Sequence, residues 1–358
     1  MSTILNFQVA GTRGGNLLER LLLESMGAES GGGIFAWANS VGAKLLLEDE
    51  VFDTFLTNGD FKLIIGTDSI TDAAAIDRLS NIAIRRPRLD LHAFVSPSSG
   101  LFHPKLAWFE HDGYLSLIVG SGNLTKGGLI SNWEAFTISR LTGELEKSAR
   151  KEIDLFLSSV GDYLLPVSDP EVSRLVAGNS GNERNLRRGH PSRRTSVSDI
   201  MKSTADVLVA EIPKQMDRAA QANFTKAIYV NFFGAEVGNP TRRIVLTEVN
   251  EDGTMGEIET RKSVESQSQN YRFELSAMKD KPVPVDAPRI GVFLKLISGE
   301  FLYMVFWPKG FGYTEYSTLL DSLYSGPANQ LRRVLCSPGE AKKWWTKSPL
   351  WATALPEL

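Results

Sequence analysis

His103 and Lys105 stand two positions apart in the run FHPKLAWF, and a second run, VGSGNLTKGG, sets Ser121 and Asn123 between glycines. Glu134 follows eleven residues after Asn123. These side chains suit attack on a phosphodiester. A neutral imidazole can act as nucleophile or proton donor near neutral pH. A lysine ammonium and an amide donor can hold non-bridging phosphate oxygens as charge develops on them. A carboxylate can fix the tautomer of the histidine. No metal ion is needed, and no Cys/His cluster with metal-ligand spacing occurs in the chain.

The elements around these residues must bring them together. His103–Phe109 and Tyr114–Val119 read as two strands joined through Asp112-Gly113, a hairpin signal, with His103 and Lys105 on one strand face. Glycines around Ser121 and Asn123 would let backbone approach an anion, and a third strand, Trp133–Ser139, would carry Glu134. Upstream, helical patterns at 16–26, 41–56 and 71–84 alternate with apolar runs at 33–38, 61–66 and 89–95. That rhythm predicts an α/β layer structure with a mixed sheet flanked by helices. A helix over 143–163 would close the domain. Gly14, Gly15 and Gly31–Gly33 fit no phosphate-loop frame and are expected in turns.

The rest of the chain has another texture. Residues 178–198 are polar and arginine-rich, too poor in apolar side chains to build a core, and read as a linker. Between Leu175 and Arg243 there are 11 Lys and Arg against 6 Asp and Glu, in a chain of net charge −3. Beyond about residue 205, short β-type runs at 228–233, 243–249, 271–275, 289–296 and 301–307 suggest a β-rich domain, with helices near 318–324 and 339–345. The expected organisation is 1–175 for the first domain, 176–204 for a basic linker and 205–358 for the second. The 358 residues, 42% hydrophobic and 23% charged, are ordinary for a globular protein. One cysteine, Cys336, fits a reducing compartment and reads as a packed thiol. With no signal-peptide pattern and no apolar run near ~18 residues, a soluble cytoplasmic protein is expected.

The stretch from Phe102 to Ala135 resembles the signature of the phospholipase-D-like superfamily, an H-x-K followed by a G-S-x-N-type turn. The likeness is strong over about 35 residues and looser over the preceding 100. It implies a phospholipase-D-like nuclease domain in which His103 is the nucleophile of a phosphohistidine intermediate. By the same likeness Lys105 and Asn123 bind the phosphate with Ser121 nearby, and Glu134 orients the histidine. One position departs from the pattern: Glu110 stands where the superfamily has aspartate, and it reads as a structural or solvated turn residue. The superfamily site uses two copies of the motif, whereas this chain has one, so a homodimer is implied.

Within the superfamily the chain is most similar to metal-independent restriction endonucleases of the BfiI and NgoAVII group, and to nuclease subunits of CglI-type ATP-dependent restriction systems. That likeness implies a C-terminal DNA-recognition pseudobarrel of the plant B-three type and double-stranded DNA as substrate. It also implies a helicase-like ATPase partner, to which any ATP and Mg requirement would belong; no cofactor is expected in this chain. Lys214, Gln215, Arg218, Gln221, Asn223 and Lys226, with Arg242 and Arg243 on a following turn, are candidate DNA contacts. Each of them also reads as a solvated polar side chain. Trp307, Tyr313, Trp344, Trp345 and Trp351 read as core. Competing functions are a DNA-binding protein with a vestigial site and a phosphatidyl transferase or hydrolase.

Overall fold

The computed structural model describes residues 2–11, 14–96, 100–179, 207–214, 219–263 and 271–353. The chain divides into two compact units, Met1–Ala10 with Gly15–His190, and Gly11–Gly14 with Pro191–Leu358. Most of the basic stretch expected as a linker lies outside the described residues.

The first unit is built on an eight-stranded mixed sheet. Its strands are β1 (Ser2–Gln8), β2 (Ser30–Phe35), β3 (Asp60–Gly66), β4 (Leu89–Phe94), β5 (Lys105–His111), β6 (Tyr114–Gly120), β7 (Glu134–Leu141) and β8 (Leu164–Pro166), in the order β1-β7-β6-β5-β2-β3-β4-β8. Only β2, β3 and β4 run parallel to one another, joined through helical crossovers. Leu17 and Leu21 of α1 (Leu17–Ser25) pack over Phe35, Ala107 and Ile118 on one sheet face. The neighbours α2 (Ser40–Leu47), α3 (Glu50–Asn58) and α4 (Ala73–Arg85) continue that layer. On the opposite face, Ile153, Phe156 and Leu157 of α5 (Glu144–Val160) cover Ile34, Ile64 and Trp108. A short α6 (Pro170–Val176) follows β8.

Several sequence expectations change here. The single helix over 41–56 is two helices, because the Asp49 side chain accepts from the Val51 amide and caps a new start. Gly31–Gly33 are not a turn but the body of β2. A Cβ on Gly32 would meet the Trp108 ring at 2.1 Å, so the bare strand makes room for the indole. Strand β1, not expected, is a sheet edge. Glu110 lies within β5, not on the turn, and its carboxylate pairs with Arg150 of α5. The Asp112-Gly113 hairpin is present, with Gly113 at φ +80°.

The second unit is β-rich. A six-stranded sheet has the order β12-β11-β15-β14-β9-β16, from β9 (Val207–Ile212), β11 (Arg243–Val249), β12 (Met255–Lys262), β14 (Arg289–Lys295), β15 (Phe301–Phe306) and β16 (Arg333–Cys336). A ribbon of β10 (Gln221–Phe224) and β13 (Tyr271–Glu274) lies apart from it in hydrogen bonding. Phe224, Phe233, Phe273 and Phe293 interlock in one core. A second core takes α7 (Tyr313–Leu323), α8 (Pro338–Trp344) and α9 (Pro349–Thr353), with Trp351 buried and Tyr313, Trp344 and Trp345 packed against it. The run Ile228–Phe232, expected as a strand, is a π-helical turn. A run this short and largely apolar carries no period to separate the two, and Tyr229 N reaching Thr225 O at 2.9 Å starts the helical bonding. Among the described residues no helix is long and apolar enough to cross a membrane.

Candidate active site

The site forms where β2 leaves the sheet and meets the loop after β6. Trp37 N donates to Asn123 Oδ1 at 3.2 Å, and Leu124 N donates to Trp37 O at 3.1 Å. Asn39 N then bonds Leu124 O at 3.0 Å, so the two loops run as a short parallel pair. Glycines allow this closeness. A Cβ on Gly42 would meet Leu124 O at 2.2 Å, and one on Gly128 would meet Asn123 N at 2.4 Å. Gly120 and Gly122, on either side of Ser121, are packed as closely: a Cβ there would meet Phe136 Cβ at 2.4 Å and Leu17 Cδ2 at 2.5 Å. With Oδ1 held by Trp37, Asn123 keeps its Nδ2 donor end without a protein acceptor among the described residues.

His103 lies just ahead of β5 and not on it, so the shared strand face expected from the spacing does not explain its direction. It still meets Lys105, whose Nζ is 3.1 Å from His103 Nε2 and 3.1 Å from the backbone oxygen of His103. An ammonium only donates, so Nε2 must be the bare ring nitrogen and Nδ1 the protonated one. The imidazole packs edge-on against Trp37, with centroids 5.2 Å apart and planes at 73°. Lys105 Nζ is 5.6 Å from the Trp37 ring centroid. Desolvation, and then the Lys105 charge, hold the His103 pKa below the ordinary histidine value. Burial lowers that of Lys105, against a pull in the other direction from Glu134.

Glu134 begins β7. One carboxylate oxygen accepts from Ser121 Oγ, and the other accepts from Asn132 Nδ2 at 3.2 Å. Ala135 N also donates to Ser121 Oγ at 3.1 Å. The chain thus brings Glu134 to Ser121 and within electrostatic reach of Lys105, and no hydrogen bond joins Glu134 to His103. Behind this cluster stands Gln8, buried at the end of β1. Its Nε2 donates to Asn132 O at 3.0 Å and to Gly127 O at 3.2 Å, while its Oε1 accepts from Leu17 N at 2.9 Å. Sequence reasoning missed Trp37, Gln8 and Asn132. Only an alignment of the three loops in space reveals them.

The other two described histidines have partners of their own. His111 is buried, stacks on Tyr114 at 4.3 Å and sits with Nε2 3.0 Å from Glu24 O. His92 lies 3.3 Å from Asp90. Among the described residues no group of His, Cys, Asp and Glu is arranged to hold a metal ion.

The candidate DNA contacts fall in the second unit and divide into two kinds. Gln215 and Arg218 lie outside the described residues. Arg242 and Arg243 are buried: Arg242 Nε donates to Gly234 O at 2.8 Å and Arg243 Nη1 to Pro240 O at 2.7 Å, so they brace a turn. Lys226 and Lys214 are exposed, the latter with Nζ on Val285 O at 3.0 Å. Gln221 and Asn223 alternate along β10 with core residues Ala222 and Phe224, and Arg272 stands opposite Asn223 on β13. Gln221 Oε1, Asn223 Oδ1 and Arg272 Nη1 are buried and have no hydrogen-bond partner among the described residues. Neither do Arg333 Nε or Arg289 Nε and Nη1, although Arg333 Nη2 reaches Asn223 O at 3.1 Å. Arg272, Arg289 and Arg333 were not expected from sequence.

No family model and no curated protein matches the sequence. Solved structures similar to the chain include Nuc, a phospholipase D family member from Salmonella typhimurium, at 15% identity and a TM-score of 0.35 over 46% of this chain and 96% of that one. NucT from Helicobacter pylori matches at 11% identity and a TM-score of 0.32, over 46% of this chain and 99% of that one. The phosphatidylserine synthase of Haemophilus influenzae matches at 15% identity and a TM-score of 0.33, over 52% of this chain and 45% of that one. Likenesses of this size assign no activity to the chain, and its chemistry has to be argued from its own residues.

Proposed function

We propose that this protein is a metal-independent phosphodiesterase acting on double-stranded DNA, with His103 as nucleophile. The observation that carries the reading is the bare Nε2 of His103 at 3.1 Å from Lys105 Nζ, packed on the same Trp37 whose backbone amide holds Asn123 Oδ1. A phosphate entering the site would take the Lys105 ammonium and the Asn123 amide onto its non-bridging oxygens, releasing the Nε2 lone pair toward phosphorus. The N–P bond forms as the bond to the leaving oxygen breaks. Water then cleaves the N–P bond and restores the imidazole.

The leaving oxygen needs a proton, and one chain offers a single imidazole at this site. A second copy would supply another His103 across a two-fold axis. An uncovered apolar face supports that assembly. Leu5 and Phe7 on β1 and Val119 on β6 share a sheet face and are 60%, 67% and 46% exposed, next to Ser121. An exposed apolar edge strand is a surface that proteins cover. In such a dimer Glu134 could serve the partner's histidine.

DNA is favoured as substrate by Gln221, Asn223 and Arg272, half-buried polar residues that alternate with core positions and share the outer face of the β10–β13 ribbon, types able to contact base edges and phosphates. With this goes a role as a site-specific restriction endonuclease of the cytoplasm. Its second unit would be a recognition domain of the plant B-three type, over about 205–358, and a helicase-like ATPase would be its partner. The test is hydrolysis of bis(p-nitrophenyl) phosphate and of duplex DNA by the full chain in excess EDTA. Activity that persists in EDTA and vanishes in His103→Ala is expected. Activity retained by His103→Ala would overturn the reading.

A further inference from the structure

We propose that Trp37 is the positioning residue of this site, its indole edge and its backbone together setting the direction of the His103 imidazole and of the Asn123 amide. The proposal rests on the reading of His103 and Asn123 given above. Trp37 contacts three of the proposed catalytic groups: the ring of His103 at 5.2 Å, the ammonium of Lys105 at 5.6 Å and the side chain of Asn123 at 3.2 Å.

Each contact does different work. The backbone amide fixes Asn123 Oδ1, which forces Nδ2 to the other side, and the backbone oxygen holds Leu124 in place. The indole presses against an imidazole that lies outside any strand, where no ladder of backbone bonds restrains it. An edge-to-face contact limits rotation about the ring bond. The ammonium near the aromatic face has its own favourable contact, which keeps Lys105 beside Nε2. Trp37 Nε1 is buried and has no hydrogen-bond partner among the described residues, and ring contacts with His103 and Lys105 hold the indole. The charged groups facing His103 are Lys105 from β5 and, acting on Lys105, Glu134 from β7. The apolar cover beside them is Trp37.

Replacing the side chain leaves both backbone bonds available, which separates the ring's role from that of the loop. Trp37→Ala should lower kcat on bis(p-nitrophenyl) phosphate about 3- to 10-fold with KM changed less, and Trp37→Phe should stay within about 2- to 3-fold of the parent. Carbon-13 NMR of the four histidine rings reads the same point without catalysis. In Trp37→Ala the His103 titration should move up toward the ordinary histidine value, while Trp37→Phe moves it less. A Trp37→Ala protein with parental kcat and an unmoved His103 titration would overturn the proposal. If His103→Ala itself keeps activity, the catalytic reading fails, yet the NMR comparison still decides whether Trp37 governs the ring. Circular dichroism melting of both variants identifies any loss that comes from unfolding.

Discussion

Gln8 offers a demanding test because it lies in the N-terminal strand, far in sequence from the residues it holds. Its side chain is 3% exposed and ties α1, the turn at 127–131 and Asn132 together. Two of its bonds, to Leu17 N at 2.9 Å and Asn132 O at 3.0 Å, are of good length. At about 1 kcal/mol net for each bond, and about 1–3 kcal/mol for a buried amide left bare, Gln8→Ala should destabilise the protein by about 3 kcal/mol. Gln8→Glu keeps the acceptor for Leu17 but turns a carboxylate oxygen toward the carbonyls of Gly127, Gly128 and Asn132. It should therefore cost more than the alanine variant, although it preserves volume.

The effect should also reach the site. Asn132 carries the amide that donates to Glu134, so loosening it should raise hydrogen exchange across 127–132 and reduce phosphodiester hydrolysis in the folded fraction. Urea unfolding followed by exchange mass spectrometry measures both. If Gln8→Ala lies within about 0.5 kcal/mol of the parent and Gln8→Glu is no worse, the buried network has been misjudged.

Four further outcomes follow from named groups. The pH–rate profile should fall on the acid side with a midpoint below the ordinary histidine value, because burial and Lys105 keep His103 neutral and nucleophilic to lower pH; a midpoint above that value contradicts the geometry. On the alkaline side activity should fall as Lys105 loses its proton, earlier than for an ordinary lysine. Arg272→Ala should weaken duplex binding about tenfold and flatten its salt dependence by about one unit in fluorescence anisotropy, without touching hydrolysis of the small phosphodiester; unchanged binding would remove this arginine from the interface. Burial pushes the Cys336 thiol up to about 12, so the native protein should react with a thiol reagent only as fast as it unfolds. Rapid labelling in native buffer would contradict its packing.

The residue types of the candidate site suggested its chemistry, and the hairpin of β5 and β6 beside it was legible in Asp112-Gly113. What the sequence could not supply was how the loops meet. Trp37 sits at the end of an apolar run and looks like one more core aromatic, because the bonds that matter run from its backbone to Asn123, 86 positions away. Gln8 is an ordinary polar residue until the fold buries it. The π-helical turn at 228–232 escaped for a related reason, since a short, largely apolar run has the same pattern as strand or helix. Arg242 and Arg243 had a cationic pattern fit for phosphate, and tertiary carbonyls claimed both of them. Arg272, Arg289 and Arg333 are scattered over 62 positions, and only the pairing of β10 with β13 and the bond from Arg333 to Asn223 bring two of them to one strand.

The most direct measurement is peptide mass spectrometry at neutral pH after rapid quenching of the protein during turnover of a phosphodiester in excess EDTA. The account places the substrate's phosphoryl group, still carrying its remaining ester (p-nitrophenyl from bis(p-nitrophenyl) phosphate), on the ring of His103 and none in the His103→Ala protein. Turnover in EDTA with no modified His103 at any quench time, or a phosphoryl group carried by another residue, would contradict it.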